Sequence, residues 1–304
     1  MATEKEREQK LKKNITDSKK DLSGVLATRK RSINGAISEA TAKTSFITSS
    51  AQRNKLYREL GKEYAVLNES VSGWTVAGTT ASSKDFFGFA KEDLPAGALP
   101  TFGAFSAKYL DDIIGEINPA AVKSGVAMNA QIGGMQQKDI RVLRAAVSTT
   151  LTEGAVEGLT NPQMAERMRN RIVGQVGQFQ FIDSAGRNWS ADNYFGMLNR
   201  TMHAEAARNS YIDAATTEAG FDLYQIEGGI TGSSANNPND PCDAWAGRII
   251  SMTGNTKGFP TYQDAKDAGV FHPNCLHSLR AILPSEIPGA KDKERELSTT
   301  LGSE

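Results

Sequence analysis

Histidine and thiol chemistry in this chain rests on five side chains: His203, His272, His277, Cys242 and Cys275. Four of them converge in sequence. FHPNCLH places His272, Cys275 and His277 within six residues, and PNDPCDAWAG places Cys242 thirty positions before His272. Two thiolates and two imidazoles form a donor set for a tetrahedral zinc site, because soft sulfur and borderline nitrogen are what that ion prefers. The same residues also read as packing and turn-forming groups, with Asn274 bonding backbone in the loop. A third arrangement makes Cys242 or Cys275 a nucleophile, His272 its base and an aspartate the orienter, the roles of a thiol hydrolase. His203 stands apart on a helix. Arg200 and Glu205, five residues apart, lie about 140° apart around an α-helix and so do not share a face. Gly133-Gly134 follows no strand and GxxxxGK[ST] is absent, which leaves phosphate-loop nucleotide binding without support.

These groups sit in a chain of 304 residues, 39% hydrophobic and 23% charged, which is enough for about two folding units. No apolar run approaches the roughly 18 to 20 residues of a spanning helix. The amino-terminal MATEKEREQKLKKN is charged and lacks an apolar core, so a secretory leader is not expected. In the reducing compartment that this implies, two cysteines are expected as thiols or metal ligands. The 35 basic and 35 acidic side chains cancel overall, but residues 1–31 carry ten Lys or Arg against five Asp or Glu. Lys12, Lys13, Lys19, Lys20, Arg29, Lys30 and Arg31 are the candidate nucleic-acid contacts, gaining affinity through counterion release. Interleaved Glu4, Glu6 and Glu8 also fit a solvated mixed-charge helix.

The elements that must hold these groups begin helical. Leu56, Leu60, Tyr64 and Leu67 predict a helix over about 51–69, flanked by Ser/Thr-rich stretches at 38–50 and 71–90 that read as weakly structured connectors. A Pro- and Gly-broken loop is expected at 94–105, then helices over 107–117 and 139–153. Another helix is expected from Asn161-Pro162 to near Val173. After residue 178 the pattern changes. A short hairpin at 178–190, a long helix capped by Ser190 and stopped by Gly220, strands at 222–226, 247–251 and 277–283, and a small helix at TYQDAKDAG follow. The fold class expected is α+β, with a mostly helical amino-terminal two thirds and a small carboxy-terminal α+β module. The expected divisions are a helical, partly extended arm (1–93), a helical body (94–177), the α+β module (178–284) and a polar tail (285–304).

The carboxy-terminal motifs, in order, resemble the phage minor capsid protein 2 family, related to the Mu F-like head morphogenesis proteins. The residues carrying the resemblance are Asp183, Gly186, Arg187, Trp189, Arg200, Thr201, Gly220, Asp222, Leu223, Cys242, Gly247, Ser251, His272, Pro273, Asn274, Cys275 and His277. Two positions depart from the family pattern: Trp245 stands where a second cysteine of C-x2-C is found, and Leu276 where an arginine follows HPNC. The resemblance implies a minor structural protein of a tailed bacteriophage head and no enzymatic activity. It further implies association with the portal or the capsid interior, and a part in head assembly or genome delivery. Portal protein and major capsid protein are the implied partners, with packaged DNA reached through the basic amino terminus and no membrane. The implied location is the virion, at the head interior or portal vertex, after assembly in the host cytoplasm. The residues themselves keep a rival open: a metal- or thiol-dependent hydrolase or nuclease centred on Cys242, His272, Cys275 and His277, with zinc as the candidate cofactor.

Overall fold

In the computed structural model, residues 3–94, 119–182, 186–228, 241–283 and 286–287 are described. Among the described residues four α-helices come first: α1 (Glu4–Ala42), α2 (Ser50–Asp93), α3 (Pro119–Glu157) and α4 (Asn161–Ile172). A hairpin of β1 (Gln180–Ile182) and β2 (Asn188–Ser190) leads into α5 (Ala191–Asp213). Then come β3 (Leu223–Glu227), β4 (Ile249–Ser251), α6 (Tyr262–Asp267) and β5 (Ser278–Ala281). The last three strands form one antiparallel sheet in the order β4-β3-β5. This is the α+β class that the sequence predicts, helical first and with a small sheet late. No described helix is long and apolar enough to cross a membrane.

The chain divides into two compact units, each assembled from separated stretches. The first comprises Met1–Ile15, Gly78–Ala121 and Arg200–Glu304, and the second Thr16–Ala77 and Val122–Asn199. In the second unit, Leu22, Leu26, Ile33 and Ile37 of α1 and Leu56, Leu60, Tyr64, Leu67 and Val71 of α2 are buried. Their spacings of three, four and seven give each helix one apolar stripe, and burying that stripe is what holds helices of this length. Polar groups fix the register. Trp74 Nε1 donates to Ser18 O at 2.8 Å, and Ser18 Oγ donates to Asn199 Oδ1 at 2.9 Å. Asp139 Oδ2 accepts from Tyr64 OH at 2.7 Å and from Gly177 N at 2.9 Å. Burial raises the Asp139 carboxyl above its ordinary value, against the lowering effect of those two hydrogen bonds.

The core of the first unit gathers Leu11, Ile15, Phe86, Phe87, Tyr211, Tyr224, Ile226, Ile250, Phe271 and Leu279 around the sheet. Both cysteines lie in this core.

Two expectations fail for one physical reason. The stretch 71–90 is not a connector but the second half of α2, and 38–42 completes α1 before a single 3-10 turn at Thr44–Phe46. Ser and Thr lower helix propensity by tenths of a kcal/mol each, which tertiary packing overrides. Thr75, Thr79, Ser82 and Ser83 are buried on the same helix as Val71, Trp74, Phe86 and Phe87, and Thr75 Oγ1 donates to Val71 O at 2.9 Å. The cap of α4 is Thr160, one residue ahead of the expected Asn161, with its N–H donating to Gln163 Oε1 at 2.9 Å. The loop expected at 94–105 falls beyond Leu94, and the helix at 107–117 entirely, outside the described residues.

Candidate functional site

Cys242 lies in the turn that precedes β4, and Cys275 and His277 lie in the segment that precedes β5. Because β4 and β5 flank β3 and run antiparallel to it, both segments arrive at the end where β3 finishes. The close approach is visible at Gly228, where a Cβ would stand 3.8 Å from Leu276 O. Cys242 Sγ and Cys275 Sγ are 3.6 Å apart, and Cys275 Sγ is 3.3 Å from His277 Nδ1. One donor atom from each of the three lies within 4.8 Å of the others. All three are buried, at 0%, 2% and 3% exposure, and neither cysteine is in a disulfide. The second imidazole nitrogen, His277 Nε2, is buried with no hydrogen-bond partner. The hydrogen bond with Cys242 is the main cause holding the Cys275 thiol well below its ordinary range. His277 and the Arg208 cation add to it, against the opposing effect of burial.

Helix α5 supplies the grip on this segment. Arg200 Nε donates to Asn274 Oδ1 at 2.8 Å, and Asn274 N donates to Thr201 Oγ1 at 3.1 Å. One residue is therefore held through its side chain and its backbone N–H by an adjacent Arg-Thr pair. Two turns on, Arg208 donates to His277 O at 3.0 Å and lies over the Phe271 ring at 4.8 Å. These contacts offset a local cost, because Phe271 and Asn274 adopt φ of 62° and 72°, a left-handed conformation unfavourable by about 1–2 kcal/mol for an L-residue. Cys275 N closes the turn on His272 O at 2.9 Å.

Of the four metal ligands expected from sequence, the structure brings together Cys242, Cys275 and His277. His272 does not join them: it is half-buried, with Nδ1 2.8 Å from the carbonyl oxygen of Pro273. The motif residues pair among themselves. Ser251 Oγ donates to Asp222 Oδ2 at 2.7 Å, and Arg187 lies 5.5 Å from the Trp189 ring, which meets Tyr194 edge-on. Gly247 N donates to Ile226 O at 2.8 Å, joining the turn after Cys242 to β3. Gly186 lies between β1 and β2, and Asp183 falls outside the described residues. His203 is engaged elsewhere, its Nδ1 2.7 Å from Ser82 Oγ, and burial pushes its pKa down to about 4.

Among the amino-terminal bases, Lys12 pairs with Glu8 at 2.5 Å and Arg29 with Glu63 at 3.1 Å, while Lys13, Lys19, Lys20 and Arg31 are exposed and Lys30 is half-buried.

The strongest polar feature was not legible in the sequence. Arg7, 1% exposed, lies in an ion pair with Asp93 and places Nε 3.1 Å from Glu227 Oε2, close enough for attraction but misaligned for a hydrogen bond. Tyr211 OH donates to Asp93 Oδ2 at 2.7 Å and accepts from Ala281 N at 3.1 Å. Arg280 Nε is 3.3 Å from Glu227 Oε1. The cluster thus ties together all three stretches that make up the first unit. Burial raises the Glu227 carboxyl, and Arg7 and then Arg280 pull it back down. A lone Arg within a run of surface-like charges gives no sign of this role.

Comparison with known proteins gives one finding. The family described as phage minor capsid protein 2 matches residues 136–299, more than half of the chain and all of the candidate site. No curated protein and no solved structure matches.

Proposed function

From membership of the phage minor capsid protein 2 family, to which the chain belongs, we propose that it serves in the virion as a head component bound to the portal or the capsid interior. It acts there in head assembly or genome delivery. The family match carries this reading. The described surface supports it: Val66, Val76, Val126, Leu151, Val156, Val173 and Ile182 are the exposed large apolar side chains among the described residues, and every one belongs to the second unit. Exposed apolar positions gathered, among the described residues, in one unit suit a docking component. Portal protein and major capsid protein are the partners this reading names, and packaged DNA is a further one through exposed Lys13, Lys19, Lys20 and Arg31.

A hydrolytic role is disfavoured by the same geometry. A nucleophilic thiol must meet its substrate, yet both sulfurs are buried in a core, and the expected base His272 stands outside their cluster. The test is composition and binding. Purified virions should contain the chain at a copy number well below that of the major capsid protein, and the isolated chain should capture portal protein in a pull-down. Absence from virions would end the proposal. Retained portal capture after replacing exposed Lys13, Lys19, Lys20 and Arg31 by Gln, with salt-sensitive DNA binding lost, would assign these basic side chains to DNA.

A further inference from the structure

We propose that Cys242, Cys275 and His277 bind a thiophilic divalent ion of the zinc class, which clasps the starts of β4 and β5 across the end of β3. The inference rests first on distance. A tetrahedral zinc ion, with bonds of about 2.3 Å to sulfur and about 2.0 Å to nitrogen, spaces two sulfurs by about 3.8 Å and a sulfur and a nitrogen by about 3.5 Å. The observed separations are 3.6 Å and 3.3 Å, and the remaining one, Cys242 to His277, is within 4.8 Å, so the three donors already surround a space of that scale. A disulfide would need the sulfurs to close to about 2.05 Å.

The second support is topology. β4 and β5 are not neighbours in the sheet, and Cys242 and Cys275 are 33 positions apart, so one ion would close a long loop with bonds far stronger than the sulfur–sulfur hydrogen bond that spans it. Three protein donors leave one tetrahedral position for water or another small ligand. With the sulfurs buried in a core, the ion's work is structural.

The test uses the full chain, purified in reductant. One zinc per chain is expected, replaceable by Co2+ with thiolate-to-cobalt charge-transfer and tetrahedral d–d bands. Cys242→Ser and Cys275→Ser should lose the bands, and His272→Ala should keep them. Chelation should lower the midpoint of thermal unfolding of the parent and leave Cys242→Ser unmoved. The proposal is overturned if the helical parent gives no cobalt spectrum, if the spectrum survives Cys242→Ser, or if the isolated thiols prove to be joined in a disulfide. Where a serine variant fails to fold, the parent's metal content and cobalt spectrum decide alone.

Discussion

Replacing Arg7 by Met tests whether the buried ion cluster organises the first unit. At 3.1 Å and an effective dielectric constant of about 20, the Arg7–Glu227 contact is worth about 5 kcal/mol of gross attraction, most of which offsets the cost of taking the charges out of water. The substitution keeps the side chain's bulk but leaves Asp93 and Glu227 buried with one cation fewer. Breaking one side of such a buried pair costs about 3–5 kcal/mol, and that loss is expected at about pH 7 in urea unfolding followed by circular dichroism. The pH dependence supplies a sharper readout. Arg7 lowers the Glu227 pKa in the parent, so its removal lets burial raise that pKa further. Above the unfolded value of about 4.3, the folded variant then holds a proton that the unfolded chain has released. Its stability rises as pH falls, and its deficit against the parent shrinks towards about pH 5. Adding Glu227→Gln to Arg7→Met should recover part of the loss. A deficit below about 1 kcal/mol, the range of exposed ion pairs, or one identical at both pH values, would refute the reasoning.

Two further outcomes follow from single contacts. The His203 pKa, near 4 when folded and about 6.5 when unfolded, contributes stability that is fully present above about pH 6.5 and lost as pH falls through 4. The loss is about 3 kcal/mol, and His203→Gln should flatten that part of the stability profile; an imidazole titrating near its unfolded value by NMR would contradict this. Gly177→Ala places a Cβ 2.0 Å from Asn34 Oδ1 at a φ of +69°, so a loss of about 2–3 kcal/mol is expected. Adding Asn34→Ala should relieve the clash and leave the backbone strain, and full recovery by that pair would show that φ carries no cost here.

Apolar periodicity was enough to read the helical stripes at 56–67 and 139–151, and turn chemistry was enough to read the hairpin and the order of late strands. What it missed lies where burial is carried by small polar residues. Ser82 and Thr75 are buried like the apolar residues around them, yet composition ranks them as linker. The candidate site was partly legible for a related reason. Residue type nominated Cys242, Cys275 and His277, but the separation of His272 depends on side-chain direction. Left-handed φ at Phe271 and Asn274 turns the backbone on either side of His272-Pro273, and no spacing rule encodes that. The Arg200–Asn274–Thr201 clamp accounts for an Arg-Thr pair and an Asn that share a motif though 74 and 73 positions apart.

The ion cluster around Arg7 also sets a timetable for synthesis. Its partners come from three stretches, the last of which follows residue 200, so Arg7 emerges from the ribosome about 220 residues before Glu227. At translation speeds of about 5–20 residues per second, that is a wait of roughly 10–45 seconds. During it, Leu11 and Ile15 have no sheet to cover them, and the nascent first unit is exposed to chaperones and to its own neighbours on a polysome. A chain arranged in this way closes its first unit only after its third stretch has been made, and a ribosome stalled before residue 227 would leave Arg7 with Asp93 but without its second carboxylate partner.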